Sequence, residues 1–281
     1  MPTLTITSED TGLLERISKP IVDLMITEAD IGKQAASRAC SFSEAVPRDT
    51  IAAEAFDRGQ PVRIAMVNKA TTPLDVDIHA LCNAYQQQVD QHFFPVWGIS
   101  CRLAVMSYVP AGWWGLGFLD DADAANALGY HDLTPGGQPL GKIFVRTTKN
   151  ANKKVSVTGS HELLEMLADP GINLGAIPGP NAQADLYAYE VCDACEDSTY
   201  QINGIDVSDF VFPSYFEGFR PANSDKFDYL GLITQPFQIL PGGYMPVMVN
   251  GRWSQIFGST EAKAAFDITA RTRCPRRTRT V

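Results

Sequence analysis

The sequence predicts an α+β fold in which a mixed β-sheet packs against helices and a β-rich region follows. Three observations support this prediction. Apolar runs of strand length alternate with two helical patterns between about residues 61 and 170. Two Asn-Gly pairs, at 203–204 and 250–251, lie between short apolar runs, and this dipeptide is a strong hairpin signal. Hydrophobic residues make up 45% of the 281-residue chain, which is enough to fill a substantial core.

The first part of the sequence predicts a helical segment, followed by a strand and a long helix. Residues 1–58 form a helical N-terminal extension in this prediction, although Pro20 interrupts the helical spacing of their apolar residues. Residues 62–67, which read VRIAMV, predict a buried strand. A long helix is expected from about 74 to 92, because apolar residues recur on one face there.

Further strands are predicted after this helix. Residues 102–109 and 113–119 are apolar runs joined by Pro-Ala-Gly, which indicates a hairpin. A polar, glycine-rich loop is expected at 120–141, and its length suggests a role in binding. Residues 142–148 predict a fourth strand.

Residues 155–170, which read VSVTGSHELLEMLADP, predict a second helix that contains the most informative motif. His161 and Glu165 are four residues apart, so they lie on the same helix face and can ligate one ion. Glu162 lies about 100° further round the helix, where its carboxylate can take a proton from a water on that ion. The alternative is an ordinary amphipathic helix with solvated glutamates, because a match of this length also arises by chance.

This stretch resembles the His-Glu-x-x-His helix of the zincin metallopeptidases, with Glu165 in place of the second histidine. The likeness is to the gluzincin, or thermolysin-like, branch, whose helices often carry an aspartate where Asp169 stands. The order of strand, long helix, strands and metal-site helix is also the zincin order, over about residues 60–195. The run SHELLEMLADP resembles uncharacterised bacterial and phage-type proteins as well.

The resemblance implies a zincin-like sheet and a zinc site, or a site for another divalent ion. In such folds the edge strand of the sheet runs over the active helix and offers its backbone to an extended substrate. A carboxylate at position 165 makes the site harder than one with two imidazoles, and so favours ions that prefer oxygen ligands.

The resemblance also implies that a downstream glutamate completes the ligand set of His161 and Glu165. Glu190 is the expected third ligand, because a strand predicted at 185–191 delivers it soon after the helix. The alternative is that Glu190 only balances charge within an acidic run. Asp193 is expected to accept a hydrogen bond from His161 and to orient its ring, and Asp169 is expected to support the ligands in a similar way.

Two other groups are candidates for chemistry. His131, in the predicted 120–141 loop, is a candidate catalytic residue that donates a hydrogen bond to a developing oxyanion, or else replaces the missing imidazole on the metal. An exposed loop histidine is the alternative. Cys192 and Cys195 are closely spaced, which is compatible with free thiols or with a redox or metal role.

The predicted domains are the extension at 1–58, a zincin-like core at 59–199, a β-rich C-terminal cap at 200–270 and a basic tail at 271–281. The net charge of -9 argues against a nucleic-acid partner, and no apolar stretch is long enough for a membrane span. The start of the chain lacks the features of a secretory signal. These features favour a cytoplasmic location, or a place in a virion or other assembly.

Two classes of function follow as expectations. The first is a metal-dependent hydrolase, most simply a zinc peptidase acting on a peptide or protein substrate, with Glu162 as the general base. The second is a non-catalytic structural or assembly protein on a zincin-like scaffold, with self-assembly as its expected interaction. The intact His161-Glu162 pair favours the first class, and Glu165 favours the second.

Overall fold

The computed structural model describes residues 61–123, 127–179 and 186–260, and it has the predicted α+β architecture. The expected helical extension at 1–58 and the basic tail at 271–281 lie outside the described residues. Within the described part of the chain, no helix is both long enough and apolar enough to cross a membrane.

A five-stranded mixed sheet forms the centre of the fold, with strand order β2-β1-β3-β5-β4. Four strands run parallel, and the edge strand β4 pairs antiparallel with β5. The strand bounds are β1 Val62–Asn68, β2 Cys101–Val105, β3 Trp114–Leu119, β4 Gly129–Leu133 and β5 Pro139–Phe144. Most residues of β1, β3 and β5 are buried, as is typical of parallel strands that are covered on both faces.

The hairpin predicted between the second and third strands is wrong. β2 and β3 pair with β1 on its two sides, and both are parallel to it. Residues 106–113 connect them, which is longer than the about two to five residues of a hairpin loop. A turn signal determines only a local change of chain direction, whereas the apolar strand β1 gains most burial by taking a position between two neighbours.

The loop predicted at 120–141 is also wrong in part, because it contains β4 and the first residues of β5. Glycine-rich composition indicated a loop, but here a glycine allows close packing. A Cβ atom on Gly141 would lie 2.7 Å from Leu116 Cδ1 of the neighbouring strand β3. His131 therefore lies on the edge strand and not in a loop.

Helix α1 (Ile78–Gln88) begins at Asp77, whose Oδ1 accepts hydrogen bonds from the backbone N–H groups of His79 and Ala80. It continues through a π-helical turn (Val89–Phe93) into the short helix α2 (Phe94–Trp97). Helix α3 (Val145–Asn150) follows β5, where the predicted fourth strand was expected to continue. The long helix predicted from about 74 to 92 is confirmed as α1, and the π-helical turn and α2 make its end irregular.

Helix α4 (Val155–Ala168) contains the His-Glu-x-x-Glu motif, and every residue in it except Val157 is buried. It packs against β4 and β5 of the central sheet and against β9 (Ile205–Ser208). Leu163 and Leu167 of α4 share one core cluster with side chains of β1 and α1. The interpretation of this helix as amphipathic with solvated glutamates is wrong, because Glu162 is 2% exposed and Glu165 is fully buried.

The C-terminal part of the described chain is rich in β-structure. A four-stranded antiparallel sheet has the order β11-β10-β7-β6, and β8 pairs with β9 in a hairpin. Both Asn-Gly hairpins are confirmed, and all four turn residues have positive φ as a type I′ turn requires. The remaining bounds are β6 Gly175–Ala176, β7 Leu186–Ala188, β8 Thr199–Ile202, β10 Tyr244–Val249 and β11 Arg252–Phe257.

Candidate metal centre

A cavity of about 240 Å³ opens beside the N-terminal half of α4. Its lining includes His161 and Glu162 of α4 and Glu196 from the chain that follows β7. Gly129 of β4 and Lys154, just before α4, lie at the same cavity. Buried acidic and imidazole groups therefore border a space that can admit a small ligand.

His161 is 3% exposed, and both of its ring nitrogens face carboxylates. Its Nε2 lies 3.1 Å from Glu165 Oε1 and 3.2 Å from Asp193 Oδ1. Its Nδ1 lies 3.2 Å from Glu196 Oε2. Burial lowers the pKa of His161, but the charges of Glu165 and Glu196 outweigh this effect and hold the pKa well above its ordinary value. In the metal-free protein the His161 imidazole therefore keeps its proton to higher pH than an ordinary histidine does.

Local geometry explains these contacts. The four-residue spacing of His161 and Glu165 brings them together on α4, as the sequence predicted. Asp193 begins a short 3-10 helix (Asp193–Cys195), and Glu196 follows it directly. Residues three apart eclipse one another in a 3-10 helix, so both carboxylates face His161. Glu196 was not among the predicted site residues, although its three-residue spacing from Asp193 was a usable signal.

A second imidazole lies close to the motif helix. His131 is 9% exposed, and its Nδ1 lies 3.7 Å from Glu162 Oε2 and 3.9 Å from Glu165 Oε2. Its Nε2 lies 3.9 Å from Glu190 Oε2. Burial lowers the pKa of His131, but the neighbouring glutamates more than compensate and raise it to about 9. The antiparallel edge strand β4 thus brings a histidine to the two glutamates of the motif.

Glu190 contacts His131 and lies two residues beyond the end of β7. The expected set of His161, Glu165 and Glu190 is therefore only partly brought together. The positions beside His161 are occupied by Asp193 and Glu196, which come from the 3-10 turn further along the chain.

Three groups of described residues have ligand atoms that lie within 4.8 Å of one another. The groups are His161 with Asp193 and Glu196, His131 with Glu162 and Glu165, and His161 with Glu165 and Cys192. Each combines an imidazole with oxygen or sulfur donors, which is the donor chemistry of zinc and related divalent ions. These buried groups could hold a metal ion.

The other predicted site residues have identifiable contacts. Asp169 ends α4, and its carboxylate accepts hydrogen bonds from the backbone N–H groups of Asn173 (3.0 Å) and Leu174 (3.1 Å), which fixes the turn after the helix. Cys192 donates its backbone N–H to Glu165 Oε1 at 3.2 Å. Cys192 and Cys195 are buried free thiols, and burial raises the pKa of both well above the ordinary value.

Gly129 allows the edge strand to approach the motif helix. A Cβ atom at this position would lie 2.8 Å from Glu162 Cγ and 2.9 Å from Glu162 Oε1. Contacts this short do not occur for real side chains, so only glycine leaves room for the Glu162 carboxylate.

The site must be interpreted from its own geometry, because no family model matches the chain and no curated protein or solved structure matches it significantly.

Proposed function

We propose that this protein is a metal-dependent hydrolase, most simply a zinc peptidase. The observation that supports this proposal best is the cluster of two buried imidazoles and five carboxylates beside the cavity. Such a donor set suits a divalent cation, and the cavity provides the access that a substrate requires.

In this proposal the ion would bind Nε2 of His161, with Glu165 and Asp193, the two carboxylates at that nitrogen, as its oxygen ligands. Glu196, which lies at Nδ1 on the other side of the ring, would accept the proton of that nitrogen and orient the imidazole, and it lines the cavity. When bound, the ion supplies a water of lowered pKa as a nucleophile. Glu162 lines the same cavity and accepts a proton there as the general base.

A zincin-like scaffold is part of the proposal. In its support, the central sheet is mixed, its antiparallel edge strand β4 contacts α4, and α4 contains the altered zincin motif. The glutamate that replaces the second histidine of the motif has a local explanation, because Glu165 accepts a hydrogen bond from the backbone N–H of Cys192 and lies near both imidazoles.

A non-catalytic role on the same scaffold, as a structural or assembly protein, is the second candidate. One observation favours it: all three carboxylates around His161 are within 3.2 Å of a ring nitrogen. At those distances a protonated imidazole is already well satisfied, so the cluster can be stable without an ion.

The test combines metal analysis with hydrolysis of a peptide library, read by mass spectrometry. We expect bound zinc, cleavage that a chelator abolishes, and a loss of about 100-fold or more in Glu162→Gln, since only the proton acceptor is removed. Glu162→Gln should retain the ion at His161. Glu217→Gln, which changes a glutamate paired with Arg220 outside the cluster, is the control and should keep full activity.

Two results would contradict the proposal. Cleavage by Glu162→Gln at the wild-type rate would exclude Glu162 as the base. Absence of bound metal at saturating zinc, with no cleavage of any peptide, would favour the structural role.

A further inference from the structure

We propose a second divalent-cation site in this protein, formed by His131, Glu162 and Glu165 and adjoining the site at His161. This second site depends on the proposed function in one respect, which is that the first ion is assumed to bind at His161. The three ligand atoms come from the edge strand β4 and from two successive faces of α4. They form one of the compact donor groups of the described chain.

The spacing of these donors fits an ion better than a hydrogen bond. Hydrogen bonds between nitrogen and oxygen have lengths of about 2.7–3.2 Å. Zinc bonds of about 2.0–2.2 Å place neighbouring ligand atoms roughly 3–4 Å apart. The Nδ1 atom of His131 lies 3.7 Å from Glu162 Oε2 and 3.9 Å from Glu165 Oε2, which is within the second range.

His131 itself provides an independent observation. Its side chain is 5% exposed, so its ring nitrogens are shielded from water. Among the described residues, none is within hydrogen-bond distance of its Nε2, and the nearest carboxylate oxygen is that of Glu190 at 3.9 Å. An ion on Nδ1 fixes the ring as the neutral tautomer with its proton on Nε2, directed towards Glu190. A buried imidazole in this setting is better explained as a ligand than as a packing residue.

Glu165 connects the two sites. Its Oε1 is 3.1 Å from His161 Nε2, and its Oε2 is 3.9 Å from His131 Nδ1. A carboxylate that presents one oxygen to each imidazole can bridge two ions, which lie about 3.5–4 Å apart in known two-metal sites. This arrangement gives a reason for a glutamate at position 165, since both oxygens of a carboxylate can ligate ions, whereas a neutral imidazole has only one nitrogen lone pair and can ligate only one.

Occupation of the second site would change the role of Glu162. With one ion at His161, Glu162 is the general base. With a second ion present, the same carboxylate would be a ligand and no longer free to accept a proton, so the cleavage expected above belongs to the one-ion form and should fall once zinc exceeds one ion per chain. The one-ion and two-ion forms therefore differ in chemistry as well as in metal content.

The experiment is calorimetric titration of the EDTA-treated, full-length protein with Mn²⁺, and separately with Zn²⁺. We expect two ions per chain in the wild type and one in His131→Ala, with the ion at His161 retained. His131→Gln, which preserves more of the side-chain volume, should also bind one ion and guards against a folding defect in the alanine variant. His79→Ala alters an exposed histidine of α1 and should still bind two.

Electron paramagnetic resonance of the Mn²⁺-loaded protein provides a second readout. Two ions bridged by Glu165 should give an exchange-coupled spectrum, which Glu165→Gln should abolish. One ion in the wild type, unchanged by His131→Ala, would overturn the second site and leave the proposed function standing. No ion in the wild type would overturn both.

Discussion

At the scale of single residues, the site is defined by two imidazoles that each have carboxylates at both ring nitrogens. His161 has Glu165 and Asp193 on one side and Glu196 on the other. The carboxylates raise the pKa of both histidines. In the metal-free protein, a proton on each imidazole would therefore balance part of the negative charge that a metal ion would otherwise balance. Proton and metal compete for the same nitrogens, and metal affinity should rise with pH.

The first prediction concerns this competition in the metal-free protein. The folded pKa of His131 is about 9, and its unfolded value is about 6.5. Its contribution to the free energy of unfolding is therefore fully present below about pH 6.5 and is lost as pH rises through about 9. Urea unfolding of EDTA-treated protein between pH 6 and pH 9.5 should show this decline.

The control for this prediction is His131→Gln, which removes the titrating group. Its free energy of unfolding should fall less steeply with pH than that of the wild type. Equal slopes for the two proteins would show that His131 does not gain its proton on folding.

The second prediction concerns Gly129. Gly129→Ala would place a Cβ atom 2.8 Å from Glu162 Cγ and 2.9 Å from the backbone oxygen of Lys142, so either β4 or the glutamate must move. We expect a loss of about 1–3 kcal/mol in the free energy of unfolding and weaker metal binding. Gly136→Ala is the matched control, because its nearest neighbouring atom would be Thr134 Oγ1 at 3.8 Å. Wild-type stability and wild-type metal affinity in Gly129→Ala would contradict the close approach.

At the scale of secondary-structure elements, the position of α4 depends on its contact with α1. Tyr85 of α1 is fully buried, and its hydroxyl donates a hydrogen bond to the backbone oxygen of Ser156 at 2.7 Å. Gly159 of α4 packs directly against the Tyr85 side chain. The contact orients the helix two residues before His161, so it also positions the candidate metal ligands.

The third prediction tests this contact. Alanine is more favourable than glycine inside a helix by about 1 kcal/mol. In Gly159→Ala, however, the new Cβ atom would clash with the Tyr85 hydroxyl, and overpacking of this kind costs about 1–3 kcal/mol. We therefore expect net destabilisation, measured by urea unfolding.

A double-mutant cycle identifies the cause. Tyr85→Phe removes the hydroxyl, so Gly159→Ala should be less harmful in the phenylalanine background than in the wild type. Equal costs in both backgrounds would show that the Tyr85 hydroxyl is not the atom that excludes a side chain.

At the scale of the whole molecule, the candidate metal centre joins parts of the chain that are distant in sequence. β4 and α4 belong to the central-sheet layer, and the Asp193–Cys195 turn belongs to the C-terminal region. One core cluster also includes side chains from both parts, among them Met66 and Met245. An ion at His161 should therefore stabilise the folded chain as a unit.

The fourth prediction follows from this coupling. A ligand that binds only the folded state at a free concentration 100 times its Kd adds about 2.7 kcal/mol to the free energy of unfolding. Zinc should raise the urea midpoint of the wild type accordingly, and Asp193→Asn should lose the part of that gain that the ion at His161 supplies. His79→Ala, away from the cluster, should retain it. A midpoint that does not respond to zinc in the wild type would contradict a metal bound across these parts.

The features that could be predicted correctly from the sequence are those that depend on local geometry. The helical repeat placed His161 beside Glu165, and the Asn-Gly pairs set both hairpin turns, since each depends on a few consecutive residues. The neighbours of β1, and the position of His131 on an edge strand, became evident only in the folded chain. The same is true of the contacts of Glu190 with His131 and of Asp193 and Glu196 with His161. These arrangements depend on burial summed over distant segments, and no short window of the chain contains that information.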